Sequence, residues 1–262
     1  MRKHDWNILD ENEQPLDHLV ANGGMCAIFR SIGCIGDSLS SGEFESSVGF
    51  HDMFEYSWGQ FMARNGGYKV LNFSRGGMTA KEYRESFAEA NDFWNPDKLC
   101  QAYVIALGVN DLLNFGHPLG TIDDIREDYR DNPDTFIGNY TAIIGRLRSM
   151  RPDAYFFLMT MPNEPDLEPQ RIERKMEHRQ AIFEIAKQFP RTYVLDLYAY
   201  APLYDAEFRR RYCMGFHMNP MGYAITARMV ESYIDYLIRH NPEDFYQVPY
   251  IGTTLRNETV KY

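Results

Sequence analysis

Cysteine is scarce: four residues in a chain of 262, at positions 26, 34, 100 and 213, with no CxxC pair among them. That spread excludes a disulfide scaffold. Cys34 and Cys100 lie in or beside apolar runs and are expected to pack as small hydrophobes. No apolar run approaches the length of roughly 18 residues that a transmembrane helix needs. The opening segment, MRKHDWNILDENEQ, has basic residues but no apolar h-region of a secretory signal. A soluble, cytoplasmic protein with no membrane association is expected, and the sequons at Asn72, Asn139 and Asn257 are read as chance matches. Positive charge is also short: Lys+Arg 27 against Asp+Glu 37 gives a net charge of −10. This argues against nucleic acid as a partner, because phosphate binding needs a basic face. There is no GxGxxG or P-loop pattern, so nucleotide binding has no support. There is no HExxH, and the histidines do not cluster, so no metal site is expected. A GxSxG elbow is missing too, which argues against an α/β-hydrolase arrangement.

What is present is an ordinary globular balance, 44% hydrophobic and 24% charged, without repeats or low-complexity tracts. Residues 1–24 are mostly polar and end in the turn signal Asn22-Gly23-Gly24. They read as an N-terminal extension packed on the domain, with 25–262 as a single domain. Runs over 27–35, 68–73, 102–107, 154–160 and 192–197 read as strands. Helical patterns occupy 54–64, 79–91, 133–149, 167–188 and 220–239. Asn219 is the cap of the last helix, with Pro220 at its first position. The alternation predicts an α/β fold with a mainly parallel sheet of about five strands and helices on both faces. In such sheets the ligand sits outside the carboxyl ends of the strands, so the strand exits are the places to look for chemistry.

The first strand leaves through Gly36-Asp37-Ser38-Leu39-Ser40-Ser41-Gly42. This is either a plain turn or a serine nucleophile, which would need an adjacent base. The second exit, Asn72-Phe73-Ser74-Arg75-Gly76-Gly77-Met78-Thr79, is either a helix entry capped by Thr79 or a place where a backbone N–H meets an oxyanion. The third, Leu107-Gly108-Val109-Asn110-Asp111, either bonds its own backbone or offers the Asn110 amide as a donor. His217, in Gly215-Phe216-His217-Met218-Asn219-Pro220, is a general base only if the ensemble makes it one.

Taken in order, GDS, a glycine turn, GxND and a late histidine resemble the SGNH (GDSL-type) hydrolase superfamily over roughly residues 30–240. The four residues that name the family match as Ser38, Gly77, Asn110 and His217. Gly77 is preferred to Gly76 because of the spacing Gly77-Met78-Thr79. The resemblance implies a three-layer flavodoxin-like fold and serine ester hydrolysis without a cofactor. Ser38 would attack the acyl carbon and His217 would carry its proton. The oxyanion would rest on the Ser38 N–H, the Gly77 N–H and the Asn110 side chain.

One position departs from that pattern. The family usually has an aspartate three residues before its histidine, and here that residue is Met214. Either a backbone carbonyl holds His217, or another carboxylate substitutes, with Asp196, Asp205 and Glu207 nearest upstream, or activity has been lost. Loss of an orienting aspartate in a serine protease costs roughly 10⁴-fold in rate. Phe50, Phe54, Tyr56 and Trp58 form either a sugar-stacking wall or, by preference, core and helix-face positions. The acidic stretch 112–132, with Asp123, Asp124, Glu127 and Asp128, reads as a solvated loop that would border the cleft. The expected function is removal of a short acyl group from a small-molecule or carbohydrate ester, as a carbohydrate esterase or deacetylase. A lipid or thioester acylhydrolase, or a catalytically silent binding module on the same fold, are the alternatives. Nothing in the sequence speaks to oligomeric state.

Overall fold

The computed structural model describes residues 12–257 and residue 259. Five strands form one parallel sheet: β1 (Ser31–Gly36), β4 (Lys69–Asn72), β5 (Ala102–Ala106), β6 (Tyr155–Met159) and β7 (Thr192–Leu195), in the order β4-β1-β5-β6-β7. Two short antiparallel hairpins lie outside it, β2 (Glu43–Ser46) with β3 (Gly49–Asp52), and β8 (Cys213–Met214) with β9 (His217–Met218). The helices in chain order are α1 (Ser38–Ser41), α2 (Trp58–Gly66), α3 (Ala80–Glu82), α4 (Ala88–Ala90), α5 (Phe136–Met150), α6 (Pro169–Gln188), α7 (Leu197–Tyr200), α8 (Ala206–Tyr212), α9 (Pro220–His240) and α10 (Pro242–Phe245). A π-helical turn, Tyr83–Phe87, joins α3 to α4.

Successive strand residues point to opposite faces, and the apolar runs divide accordingly. Ile32, Cys34, Val104 and Phe157 enter one buried cluster with side chains of α2 and α9. Ile35, Tyr103, Ile105, Phe156 and Leu158 enter a second with α5 and α6. A sheet buried on both faces needs continuous apolar strands, and this is why 102–107 and 154–160 carry no alternating polar positions. The result is the three-layer flavodoxin-like fold. β1 is flanked by β4 and β5, where the strand order reverses direction, and β5 is the central strand.

Several boundaries differ from the sequence pattern. Gly24–Ile28 is a 3₁₀ turn, not strand, because Met25 N–H donates to Asp235 Oδ1 of α9 at 2.7 Å and holds that backbone off the sheet. The pattern over 54–64 splits at Ser57, whose hydroxyl caps Gln60 N and starts α2 one residue later. The stretch 112–132 is not a plain loop: it opens within a π-helical turn, Val109–Asn114, and contains two 3₁₀ turns. Neither hairpin is apparent in the pattern, since their residues are largely polar or solvent-facing. Asn219 does cap α9, accepting from Gly222 N at 2.9 Å, with Pro220 following it. Of the extension 1–24, residues 1–11 lie outside the described residues. The remainder is bound to α9 through Glu13 on Arg239 at 2.7 Å and Val20 N–H on Ser232 Oγ at 2.9 Å.

Candidate active site

Ser38 stands on the first turn of α1, directly at the exit of β1. Asp37 caps that helix, its carboxylate accepting from Leu39 N at 3.0 Å. Asp37 is buried, and burial pushes its carboxyl up to about 7. The Ser38 side chain is only partly buried. Below it, the Tyr223 hydroxyl of α9 donates to the carbonyl of Glu43 at 2.6 Å and approaches that of Ser38 at 3.4 Å.

The second and third strand exits are stitched to each other. Asn110 Nδ2 donates to Met78 O at 3.0 Å, and Asn114 Nδ2 donates to Asn110 Oδ1 at 2.8 Å. The buried Asp111 carboxylate accepts from Ala80 N at 3.0 Å. The Asp111 carboxylate also engages its own backbone N–H. Thr79 caps the following helix, accepting from Glu82 N at 3.1 Å. Gly77 has φ 72°, a left-handed conformation natural to glycine, and is exposed with open space where a Cβ would stand. Among the described hydrogen bonds, its N–H has no partner. Gly76 differs: a Cβ there would lie 1.9 Å from Glu43 Oε2.

His217 opens β9, which packs against both α1 and β2. The ring is half-buried. Its Nε2 lies 3.1 Å from Glu43 Oε1, and its Nδ1 is buried without a hydrogen-bond partner among the described residues. Burial lowers the imidazole below its ordinary pKa, against the opposing charges of Glu45 and Asp52. Burial likewise raises the Glu43 carboxyl, with Asp52 adding to it. The Phe50 ring meets the imidazole edge-on, centroids 5.4 Å apart. No described hydrogen bond joins Ser38 Oγ to His217.

Met214 sits directly across the β8–β9 hairpin from His217. None of the three carboxylates upstream reaches the ring. Asp196 is held by Arg179 and Thr160, Asp205 caps α8, and Glu207 pairs with Arg211. The carboxylate that does reach it, Glu43, lies far from His217 in the chain, and no spacing rule points to it. Of the aromatics after the serine turn, Trp58 is core at 1% exposed, whereas Phe50, Phe54 and Tyr56 are exposed. Phe216 and Val48, on the two hairpin turns, are the most exposed large apolar side chains among the described residues, at 87% and 82%.

The sequence pattern of the GDSL-like lipase/acylhydrolase family matches residues 34–225. No curated protein matches significantly. The fold is similar to that of a family two carbohydrate esterase from Clostridium thermocellum in complex with cellohexaose, at 17% identity and TM-score 0.57, over 80% of this chain and 64% of that one. It is also similar to Est24, a carbohydrate acetylesterase from Sinorhizobium meliloti, at 15% identity and TM-score 0.54, over 79% of this chain and 99% of that one. The psychrotrophic esterase EstA from Pseudoalteromonas sp. is similar at 16% identity and TM-score 0.53, over 79% and 98% of the two chains. At these identities the likeness is one of fold.

Proposed function

The chain belongs to the GDSL-like lipase/acylhydrolase family, and from that premise we propose that it is a serine esterase that removes a short acyl group, acetyl foremost, from a carbohydrate ester. The observation that carries this reading is the convergence of four loops at one end of the sheet. Ser38 leaves β1, Gly77 leaves β4, Asn110 leaves β5, and His217 comes in on the hairpin that packs against α1.

In the proposed chemistry His217 takes the proton from Ser38 Oγ as the oxygen bonds to the acyl carbon. The carbonyl π pair moves onto its oxygen, which rests against the Ser38 N–H, the Gly77 N–H and the second amide hydrogen of Asn110. Collapse of this intermediate breaks the bond to the alcohol, and His217 gives its proton to the departing oxygen. Water then repeats the sequence on the acyl-enzyme, releasing the carboxylic acid and returning the proton to Ser38. A depressed imidazole pKa suits this task, because the ring must be neutral to accept a proton.

The exposed ring of Phe50 lies against His217, and that of Phe216 stands on the adjoining hairpin turn; both offer flat apolar faces of the kind that pack against the C–H face of a sugar. The likeness in fold to two carbohydrate esterases supports the same substrate class. An apolar rim also suits a longer acyl chain, so a chain-length series from acetyl to octanoyl esters is the deciding assay. Preference for acetyl, with release of acetate from an acetylated oligosaccharide, is the expected result. Ser38→Ala should abolish turnover with the fold intact by circular dichroism. Wild-type turnover in that variant would refute the assignment of Ser38 as nucleophile.

A further inference from the structure

We infer that Glu43 supplies the carboxylate that holds His217, from a strand that follows the nucleophile rather than from the position three residues before the histidine. The inference rests on the serine-esterase reading above and names the residue that completes it.

Three observations carry it. First, Glu43 is the one carboxylate within ion-pair distance of the His217 ring among the described residues, with Oε1 3.1 Å from Nε2. The neighbouring acids are committed elsewhere: Glu45 accepts from Phe216 N at 2.9 Å, and Asp52 accepts from the Ser41 hydroxyl. Second, the carboxylate is placed by its surroundings. Its own carbonyl takes the Tyr223 hydroxyl at 2.6 Å, and its Oε2 occupies the space where any side chain at Gly76 would begin. Gly76, one residue before the proposed oxyanion donor Gly77, thus has a separate reason to be glycine: it leaves room for this carboxylate. Third, the other ring nitrogen, Nδ1, is buried and has no hydrogen-bond partner among the described residues.

A neutral imidazole carries one N–H and one lone pair, and the hydrogen bond at one nitrogen decides which is which. With Nε2–H donated to Glu43, the lone pair is fixed on Nδ1. The base is then Nδ1, and the negative charge of Glu43 stabilises the imidazolium that forms when the Ser38 proton arrives. Glu43 touches no substrate. It is a positioning residue that acts through His217.

The test uses Glu43→Gln, which keeps the volume and removes the charge. Against a small acetyl ester, kcat should fall by ~10²-fold or more, up to the ~10⁴-fold seen when a triad aspartate is lost, with KM nearly unchanged. Met214→Asp places a carboxylate directly across the hairpin from His217, where cross-strand side chains stand about 5 Å apart. In the Glu43→Gln background it should restore kcat at least about tenfold. In the wild-type background it should give no gain, because the ring already has its acceptor. A wild-type kcat in Glu43→Gln would overturn the inference. So would a loss that raises KM or lowers Tm and is not relieved by Met214→Asp, or a tenfold gain from Met214→Asp alone. If Ser38→Ala remains active, the esterase reading itself fails. If Ser38→Ala is dead while Glu43→Gln is not, only the role of Glu43 fails.

Discussion

Asn110 is bound on two sides, giving one amide hydrogen to Met78 O and taking one from Asn114 Nδ2. These bonds fix the plane of the amide, so its second hydrogen has a defined direction before any ligand arrives. Preorganisation of this kind is what makes an oxyanion donor effective. Asn110→Ala should therefore lower kcat by roughly 10²–10³-fold, with a smaller change in KM. Steady-state kinetics on a soluble acetyl ester decide it: a change confined to KM would remove Asn110 from the oxyanion site. The sequence marks Ser38, Asn110 and His217 as candidates because each sits in a short turn motif beside a strand exit or helix entry, and local chemistry marks such turns. It does not mark Glu43. Its contact with His217 exists only because β2 is folded against β9, and no spacing along the chain reports that approach. Asp196, Asp205 and Glu207 looked closer only by sequence separation. Each turned out to serve a neighbour: Arg179, the start of α8 and Arg211.

The two hairpins decide whether those residues meet. A two-stranded ribbon is marginal on its own in water, and β8–β9 has only two residues in each strand. It is held by its neighbour: the Glu45 carboxylate of β2 accepts from Phe216 N at 2.9 Å, and the Phe50 ring of β3 packs edge-on against His217. Glu45→Ala should free the turn that presents the histidine. The bond is exposed, so its loss is worth roughly 1 kcal/mol; kcat should drop by about fivefold. Glu45 also raises the proton affinity of His217 by its charge. Removing it should move the acid limb of the kcat/KM profile to lower pH. An unchanged kcat together with an unmoved acid limb would show that the hairpin stands without Glu45. The sheet was readable from sequence because buried parallel strands are written as unbroken apolar runs. The hairpins were not, because their strands of two to four residues are too short and too solvent-facing to write a period, and their order comes from each other.

For the molecule as a whole, the arrangement of the site sets a cost that depends on pH. Asp37 is 2% exposed beside Ser38, and burial carries its carboxyl from an ordinary 3.8 to about 7, with the Asp111 charge adding to the shift and the Leu39 N–H opposing it. Asp111, also buried, is raised in the same direction by burial. A carboxyl raised in the folded state holds its proton where the unfolded chain has already released it. The fold is therefore favoured at low pH by this group, and stability falls as pH rises from about 4 towards 7, at most ~1.4 kcal/mol per pH unit for one proton. Glu13 contributes with the opposite sign. Its pairing with Arg239 lowers its carboxyl, so its stabilisation is present above the unfolded pKa and fades as pH drops. The total profile mixes these terms, but a difference between two chains isolates Asp37. Asp37→Asn keeps an oxygen for the Leu39 N–H and an accepted helix cap while removing the titration. The gap in Tm, variant minus wild type, should widen in favour of the variant between about pH 4.5 and pH 7.5, where the wild type must ionise a buried acid. Thermal melts at several pH values across that range measure it directly. A gap that stays constant would mean that Asp37 ionises in the folded protein as freely as in the unfolded chain, and that its burial beside Ser38 carries no electrostatic cost.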